Sequence, residues 1–165
     1  MIAIGFDPGT ARLGFGVIES DPDPQAVDFG VIVTAAEAPM ATRLLQIHAA
    51  VTELITDFKP DAVAVELLYF ARNVTTAMTV GQARGVVLLA AAQQGVTVAE
   101  YAPSEVKHAI VGYGKADKRQ IQEMVQIMLG LESLPKPDDA ADALAVAICH
   151  AQVAPFRARV EMSRG

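Results

Sequence analysis

The sequence contains few of the features that mark a secreted, membrane-spanning or disordered protein. Only one of its 165 residues is a cysteine, Cys149, so no internal disulfide can form. Its apolar runs, such as Val86 to Ala92, are far shorter than the roughly 20 residues that span a bilayer. The amino terminus begins Met1-Ile2-Ala3 and lacks the basic segment of a secretion signal. These absences favour a reducing, cytoplasmic location and no membrane partner.

Charged residues are also scarce, at 19% of the chain, whereas hydrophobic residues make up 52%. This balance excludes disorder and predicts a single domain with a substantial core. We expect the domain to cover residues 1–152. Residues 153–165 contain a proline and several charges, so we expect them to form a loosely ordered tail.

The distribution of charge is uneven. A net charge of −6 argues, taken alone, against a nucleic-acid partner. Between Arg72 and Arg119, however, there are six basic and three acidic residues, so the remainder of the chain carries −9. This asymmetry suggests one basic face and a separate concentration of carboxylates, which metal-dependent phosphate chemistry requires. An ordinary solvated surface would account for the composition equally well.

The order of apolar segments predicts an α/β domain. Strands are expected at residues 2–7, 13–18 and 27–34, as an antiparallel meander. The apolar spacing over residues 42–58 is helical, and a buried strand follows at 61–66. A crossover of this kind normally lays its two strands parallel in one sheet. A fifth strand at 96–99 and helices at 74–94, 104–110, 117–129 and 138–152 complete a five-stranded mixed sheet flanked by helices on both faces.

Four acids stand where this fold would bring them together. Asp7 and Glu66 each end a buried strand, and parallel strands share their carboxyl edge. Asp139 and Asp142 are three residues apart and face one side of the last helix. Taken singly, each acid would more often be structural, but acids gathered in one crevice repel one another, and a divalent cation removes that cost. Hard oxygen ligands favour Mg²⁺ or Mn²⁺, and two such ions can hydrolyse a phosphodiester.

Asp138 directly precedes this pair and follows Pro137. A short acid at a helix start can accept a hydrogen bond from a backbone N–H two or three residues on, worth about 1 kcal/mol. Asp139 is rotated by about 100° from Asp138 on a helix and shares its face with Asp142. Asp138 is therefore predicted to cap the helix, although Asp138 and Asp142 are also helical neighbours.

Several segments, in order along the chain, resemble one known family. They are Gly5-Phe6-Asp7-Pro8-Gly9-Thr10, Gly14-Phe15-Gly16-Val17, Val65-Glu66, Gly81-Gln82-Ala83-Arg84-Gly85, Lys107 with Val111-Gly112-Tyr113-Gly114, and Asp139-Ala140-Ala141-Asp142-Ala143-Leu144-Ala145. The pattern resembles the RuvC family of Holliday junction resolvases over about residues 2–152. The resemblance implies an RNase H-like fold, a homodimer, and Mg²⁺-dependent nicking of two strands of like polarity at a four-way DNA junction. It also implies a branch-migration complex of the RuvA and RuvB type as partner.

The same resemblance assigns roles to residues by position. Catalysis and the binding of two Mg²⁺ ions, with Mn²⁺ as an alternative, are expected of Asp7, Glu66, Asp139 and Asp142, with catalytic roles for Lys107 and Lys118 as well. Tyr69 is expected to contact bases near the crossover. The full set of expected DNA contacts is Tyr69, Phe70, Arg72, Asn73, Lys107, Lys115, Lys118 and Arg119.

Two other functions fit parts of the sequence. Asp7-Pro8-Gly9-Thr10 before a glycine-rich hairpin also resembles the first phosphate loop of actin-like and sugar-kinase ATPases. That architecture needs a second domain to close over the nucleotide, and we expect no room for it in 165 residues. A non-catalytic DNA-binding module would be expected to have lost one of the four acids, and none is missing. A structure-selective DNA endonuclease is the preferred interpretation.

Overall fold

A computed structural model of the chain describes residues 1–67, 74–113 and 116–163. Five strands and five helices are found in that part of the chain. In chain order they are β1 (Ile2–Asp7), β2 (Arg12–Ser20), β3 (Pro24–Val33), α1 (Met40–Phe58), β4 (Ala62–Glu66), α2 (Val74–Gln93), β5 (Thr97–Tyr101), α3 (Pro103–Val111), α4 (Lys118–Met128) and α5 (Asp138–Met162). Among the described residues, no helix is both long and apolar enough to cross a membrane.

The strands form one mixed sheet in the order β3-β2-β1-β4-β5. The first three strands are antiparallel, whereas β4 pairs in parallel with β1, and β5 in parallel with β4. Phe6 of β1 lies opposite Val65 of β4. The carboxyl ends of β1 and β4 therefore lie side by side, and the predicted five-stranded mixed sheet is confirmed.

Helices cover both faces of the sheet, as predicted. Along β1, side chains alternate between the two faces. Ile4 and Phe6 pack into a core with α1 and α2. Ala3 belongs to a second core, which it shares with α3, α4 and α5. The sheet thus separates two apolar cores, one on each side.

The largest difference from the expected boundaries concerns the last helix. It continues through Pro155 to Met162, whereas the sequence predicts an end near residue 152 and a loose tail over 153–165. A proline lacks the N–H of a helical hydrogen bond, which is why the sequence favours an earlier end. The extension is supported from outside the helix, because Arg157 donates to Glu105 of α3 at 2.9 Å and its guanidinium lies 4.8 Å from the centre of the Tyr101 ring.

Candidate active site

The start of α5 lies unusually close to the sheet. A Cβ atom placed on Gly14 of β2 would overlap the backbone oxygen of Asp139, and one on Gly5 of β1 would overlap the backbone oxygen of Ala143. Only glycine has no Cβ, so these two positions allow the helix backbone to rest directly on the strands. The glycines of the first hairpin therefore help to bring the acids of α5 to the strand ends.

Three of the four predicted acids line a single cavity of about 270 Å³. Asp7 is the last residue of β1, Glu66 is the last residue of β4, and Asp142 lies in the first turns of α5. Lys107 of α3 and Lys118 of α4 line the same cavity. Residues from five elements thus converge at the carboxyl edge of the sheet.

Asp139 occupies a neighbouring position with a different partner. It lines a more open groove together with Arg12, Lys136, Pro137 and Asp138. Its Oδ2 atom accepts a hydrogen bond from Nε of Arg12 at 2.9 Å. Sequence reasoning did not single out Arg12, because the two residues are 127 positions apart. The available signal was a lone cation between Asp7 and Gly14.

The acids of the cavity are poorly suited to carry negative charge together. Burial, followed by the charges of Asp142, Asp139 and Glu66, raises the pKa of Asp7 to about 7, against the opposing effect of Lys118. Burial and the charge of Asp142 also raise the pKa of Glu66, against the effect of Lys107. Burial raises the pKa of Asp142, although Lys118 opposes it. Such a cluster is stabilised by any cation that enters it.

Lys118 bridges two acids of α5. Its Nζ atom lies 3.1 Å from Oδ2 of Asp142 and 3.4 Å from Oδ2 of Asp138. Partial burial lowers the pKa of Lys118, but hydrogen bonds and charges of these two acids outweigh it, so the pKa is raised overall. The ammonium group is therefore held in its charged form at the edge of the cavity.

The predicted capping role of Asp138 is wrong. Asp138 is itself the first residue of α5, and the backbone N–H groups of Ala140 and Ala141 donate to the carbonyl oxygen of Pro137. The Oδ1 atom of Asp138 instead accepts a hydrogen bond from Nε2 of Gln122 at 3.0 Å. A tertiary contact with α4 has taken the place of the local cap.

The remaining predicted residues fall into two groups. Arg119 forms an ion pair with Glu123 one turn along α4, at 2.8 Å, on an exposed surface. Five predicted DNA contacts lie outside the described residues: Tyr69, Phe70, Arg72, Asn73 and Lys115.

The acids fit a divalent metal ion by their chemistry but are not preassembled around one. Within the described ranges, no three Asp, Glu, His or Cys side chains are grouped closely enough to form a ready-made metal site. Arg12 and Lys118 each contact one of the acids. The donors are carboxylate oxygens, which hard divalent cations prefer. Metal binding would therefore exchange these two ion pairs for metal–carboxylate contacts.

Comparison with known proteins points to one family. The model of the family described as crossover junction endodeoxyribonuclease RuvC matches residues 3–150. The chain is 55% identical to the crossover junction endodeoxyribonuclease RuvC of Chloroflexus aggregans over 164 residues, which are 99% of this chain and all of that protein.

Solved structures agree with the sequence relatives. The Thermus thermophilus RuvC structure superposes with a TM-score of 0.87 and 40% identity, covering 94% of this chain and 96% of that one. The structure of T. thermophilus RuvC in complex with Holliday junction substrate gives a TM-score of 0.87 at 39% identity, with the same coverage. The predicted RNase H-like fold is thereby confirmed.

Proposed function

The chain belongs to the RuvC family of crossover junction endodeoxyribonucleases, and we propose that it resolves four-way DNA junctions by nicking two strands of like polarity. Members of this family are metal-dependent nucleases. One observation carries the proposal: Asp7, Glu66 and Asp142 share a cavity with two lysines at the edge of the sheet. We assign the nuclease domain to residues 1–152.

The proposed chemistry is hydrolysis of a phosphodiester with two divalent ions, Mg²⁺ or alternatively Mn²⁺, held by Asp7, Glu66, Asp139 and Asp142. Such ions activate a water molecule and stabilise the leaving oxygen. The four carboxylates supply the negative charge that retains the ions. The raised pKa values of Asp7, Glu66 and Asp142 support this assignment, because perturbed acids in a cleft are characteristic of functional sites.

We propose that Lys107 and Lys118 contact the DNA phosphate that is cleaved. Both line the cavity that contains the acids, so their ammonium groups can approach the non-bridging oxygens of a phosphate in that cavity. A charge-assisted hydrogen bond to a phosphate oxygen is stronger than one between neutral groups. We also propose DNA contacts for Tyr69, Phe70, Arg72, Asn73, Lys115 and Arg119.

We propose that two copies of the chain act together. The side of α2 that faces the sheet is filled by Ala83, Val87 and Ala90, which are buried. On its other side, Met78 and Leu89 are exposed, and a Cβ on Gly85 would meet open space. A second copy packed against this side would bury apolar surface and present two equivalent sites to a junction.

The cellular setting is part of the same proposal. Resolution would take place in the cytoplasm, on junctions delivered by a branch-migration complex of the RuvA and RuvB type. A dimer in light scattering at tens of micromolar supports the two-copy arrangement, and a monomer at that concentration contradicts it.

A junction cleavage assay tests the proposed function. The protein is incubated with a synthetic four-way junction and with plain duplex of the same sequence, with EDTA, Mg²⁺ or Mn²⁺. We expect paired symmetric nicks on the junction only, and only with metal. The matched control is Asp7→Asn, which should bind the junction without cleaving it. Equal cleavage of duplex and junction would contradict the proposal.

A further inference from the structure

Lys118 lies at the amino-terminal end of a helix, a position that is unfavourable for a cation. It is the first residue of α4, directly after Asp117, whose side chain accepts a hydrogen bond from the backbone N–H of Gln120. The amino-terminal end of a helix carries partial positive charge, which disfavours a cation there. The contacts with α5 must therefore hold the Lys118 side chain where it is.

Asp138 receives two side chains from the same face of α4. Gln122 donates to Oδ1 at 3.0 Å, and Nζ of Lys118 lies 3.4 Å from Oδ2. Lys118 and Gln122 are one helical turn apart, so they project from α4 as neighbours. Both oxygens of Asp138 are thus engaged by α4, which sets it apart from the acids that line the cavity.

Asp142 cannot hold Lys118 throughout the reaction. Oδ2 of Asp142 is the nearer contact of the ammonium group, at 3.1 Å. Asp142 is also one of the acids to which metal binding is assigned. A doubly charged cation held by Asp142 would weaken the attraction of this carboxylate for the ammonium group and would place like charges close together. Another anion is needed to keep Lys118 at the phosphate.

We propose that Asp138 is a positioning residue, which holds Lys118 beside the reacting phosphate where Asp142 would also have to serve a metal ion. This inference rests on the proposed function, because it gives Asp138 a part in the same reaction. Asp138 does not replace Asp139 as a metal ligand, since the charge of Asp139, and not that of Asp138, is among those that act on Asp7. It fixes a cationic side chain that would otherwise sample many rotamers.

Kinetics with matched variants provide the first test. Asp138→Asn keeps an acceptor for Gln122 but removes the negative charge that faces Lys118. We expect the single-turnover cleavage rate at saturating metal to fall about tenfold, the lower end of what partners of active-site residues typically contribute, with the Kd for the junction unchanged. Asp138→Glu should recover part of the rate. Asp57→Asn on the exposed surface of α1 removes the same charge elsewhere and should have no effect.

A double variant separates positioning from a general structural role. If Asp138 acts through Lys118, then Asp138→Asn causes no further loss of rate in a Lys118→Ala background. Independent effects would instead multiply, because distant independent sites contribute additively to the free energy. A multiplied loss, or a parental rate in Asp138→Asn alone, overturns the inference. Gln122→Ala, which loosens the same carboxylate without removing its charge, should give a smaller loss of about threefold.

The contact can also be measured without metal or cleavage. The chain has five lysines, so their side-chain NMR signals can be resolved in protein labelled with ¹³C,¹⁵N-lysine, and the signal of Lys118 is assigned by its loss in Lys118→Ala. In EDTA, Asp138→Asn should shift the Lys118 signal and speed exchange of its ammonium protons, whereas Asp57→Asn should not. An unchanged Lys118 signal overturns the inference. Failure of the parental protein to cleave junctions would refute the proposed function instead, and this measurement would still decide whether Asp138 holds Lys118.

Discussion

The two faces of the sheet are packed in different ways. On the face covered by α1 and α2, β1 presents Ile4 and Phe6, both fully buried, and side chains hold the helices away from the strands. On the opposite face, β1 presents Ala3 and Gly5, and the backbone of α5 lies against the strands. The first face holds an ordinary apolar core, in which interdigitated side chains separate the layers. The second face brings a helix, together with its acids, close to the strand ends.

Because of this difference, we expect substitutions on the α1 and α2 face to change stability and those on the α5 face to change the chemistry as well. Removing a methyl group from the α1 and α2 face leaves a small gap but moves no functional group. Adding a methyl group at Gly14, on the α5 face, would push the backbone of Asp139 away from the sheet. The two faces should therefore respond differently to substitutions of similar size, and four experiments test this difference.

The largest effect on cleavage is expected from removing the charge of one acid at the strand ends, beside α5, without changing the packing there. Asp7→Asn preserves shape, but an amide is a poor ligand for a metal ion in an anionic site. We expect nicking to fall by more than about 100-fold, because even partners of metal ligands contribute 10–100-fold. Junction binding and thermal stability should be retained. Steady-state cleavage and a gel-shift titration on the same junction measure the two properties, and parental activity in Asp7→Asn would exclude Asp7 from the chemistry.

The next effect comes from adding a single methyl group at the close contact. Gly14→Ala would place its Cβ against the backbone of Asp139, so α5 must shift. We expect a loss of about 1–3 kcal/mol in the free energy of unfolding, as overpacking usually costs. The cleavage rate of the fraction that remains folded should fall at least tenfold, because the acids are displaced. Urea unfolding and cleavage at low temperature test this, and a stable variant with full activity would show that the contact is not required.

A pH series compares the stability of the parental protein with that of Asp7→Asn, in which this acid is replaced by a neutral amide. In the folded protein, burial and then the charges of Asp142, Asp139 and Glu66 raise the pKa of Asp7 to about 7 from its ordinary value of 3.8. The stability this group contributes is complete below the unfolded value and is lost as pH rises through the folded value. In EDTA, the parental protein should therefore lose roughly 1.4 kcal/mol relative to Asp7→Asn between pH 6 and pH 8. Thermal unfolding curves at several pH values measure this, and parallel curves for the two proteins would contradict it.

The smallest effect is expected on the α1 and α2 face. Ile47 is fully buried in that core, and Ile47→Val removes one methyl group. Such a change costs about 1 kcal/mol, which a urea titration resolves. Cleavage of the junction should be unchanged at a temperature where the variant is folded. A loss of cleavage without a matching loss of stability would mean that the two faces are coupled, and the contrast between them would fail.

Much of the site could be predicted because its acids follow local patterns. Asp7 and Glu66 end apolar runs that are recognisable as buried strands, and the mixed order of the sheet follows from the helical crossover between them. The spacing of Asp139 and Asp142 places both acids in the first turns of α5, although Asp139 lines a neighbouring groove. Local periodicity was sufficient for Asp7, Glu66 and Asp142, because the positions of these residues depend on the regular geometry of strands and helices.

The parts that could not be predicted depend on contacts between distant segments. The pairing of Arg12 with Asp139 joins residues 127 positions apart. Asp138 has a residue type well suited to a cap, yet its oxygens contact α4. The continuation of α5 through Pro155 accompanies an ion pair between Arg157 and α3. In the last two cases a tertiary interaction overrides a local preference worth about 1–3 kcal/mol.

We propose that the ends of β1 and β4 and the first turns of α5 together form one metal centre. The most direct measurement is anomalous X-ray scattering at the manganese edge from crystals of the protein grown with Mn²⁺. We predict two ions, both within ligand distance of carboxylate oxygens from Asp7, Glu66, Asp139 and Asp142, with Arg12 released from Asp139. Manganese bound elsewhere, or the absence of any ion between Asp7 and α5 at saturating Mn²⁺, would contradict the claim.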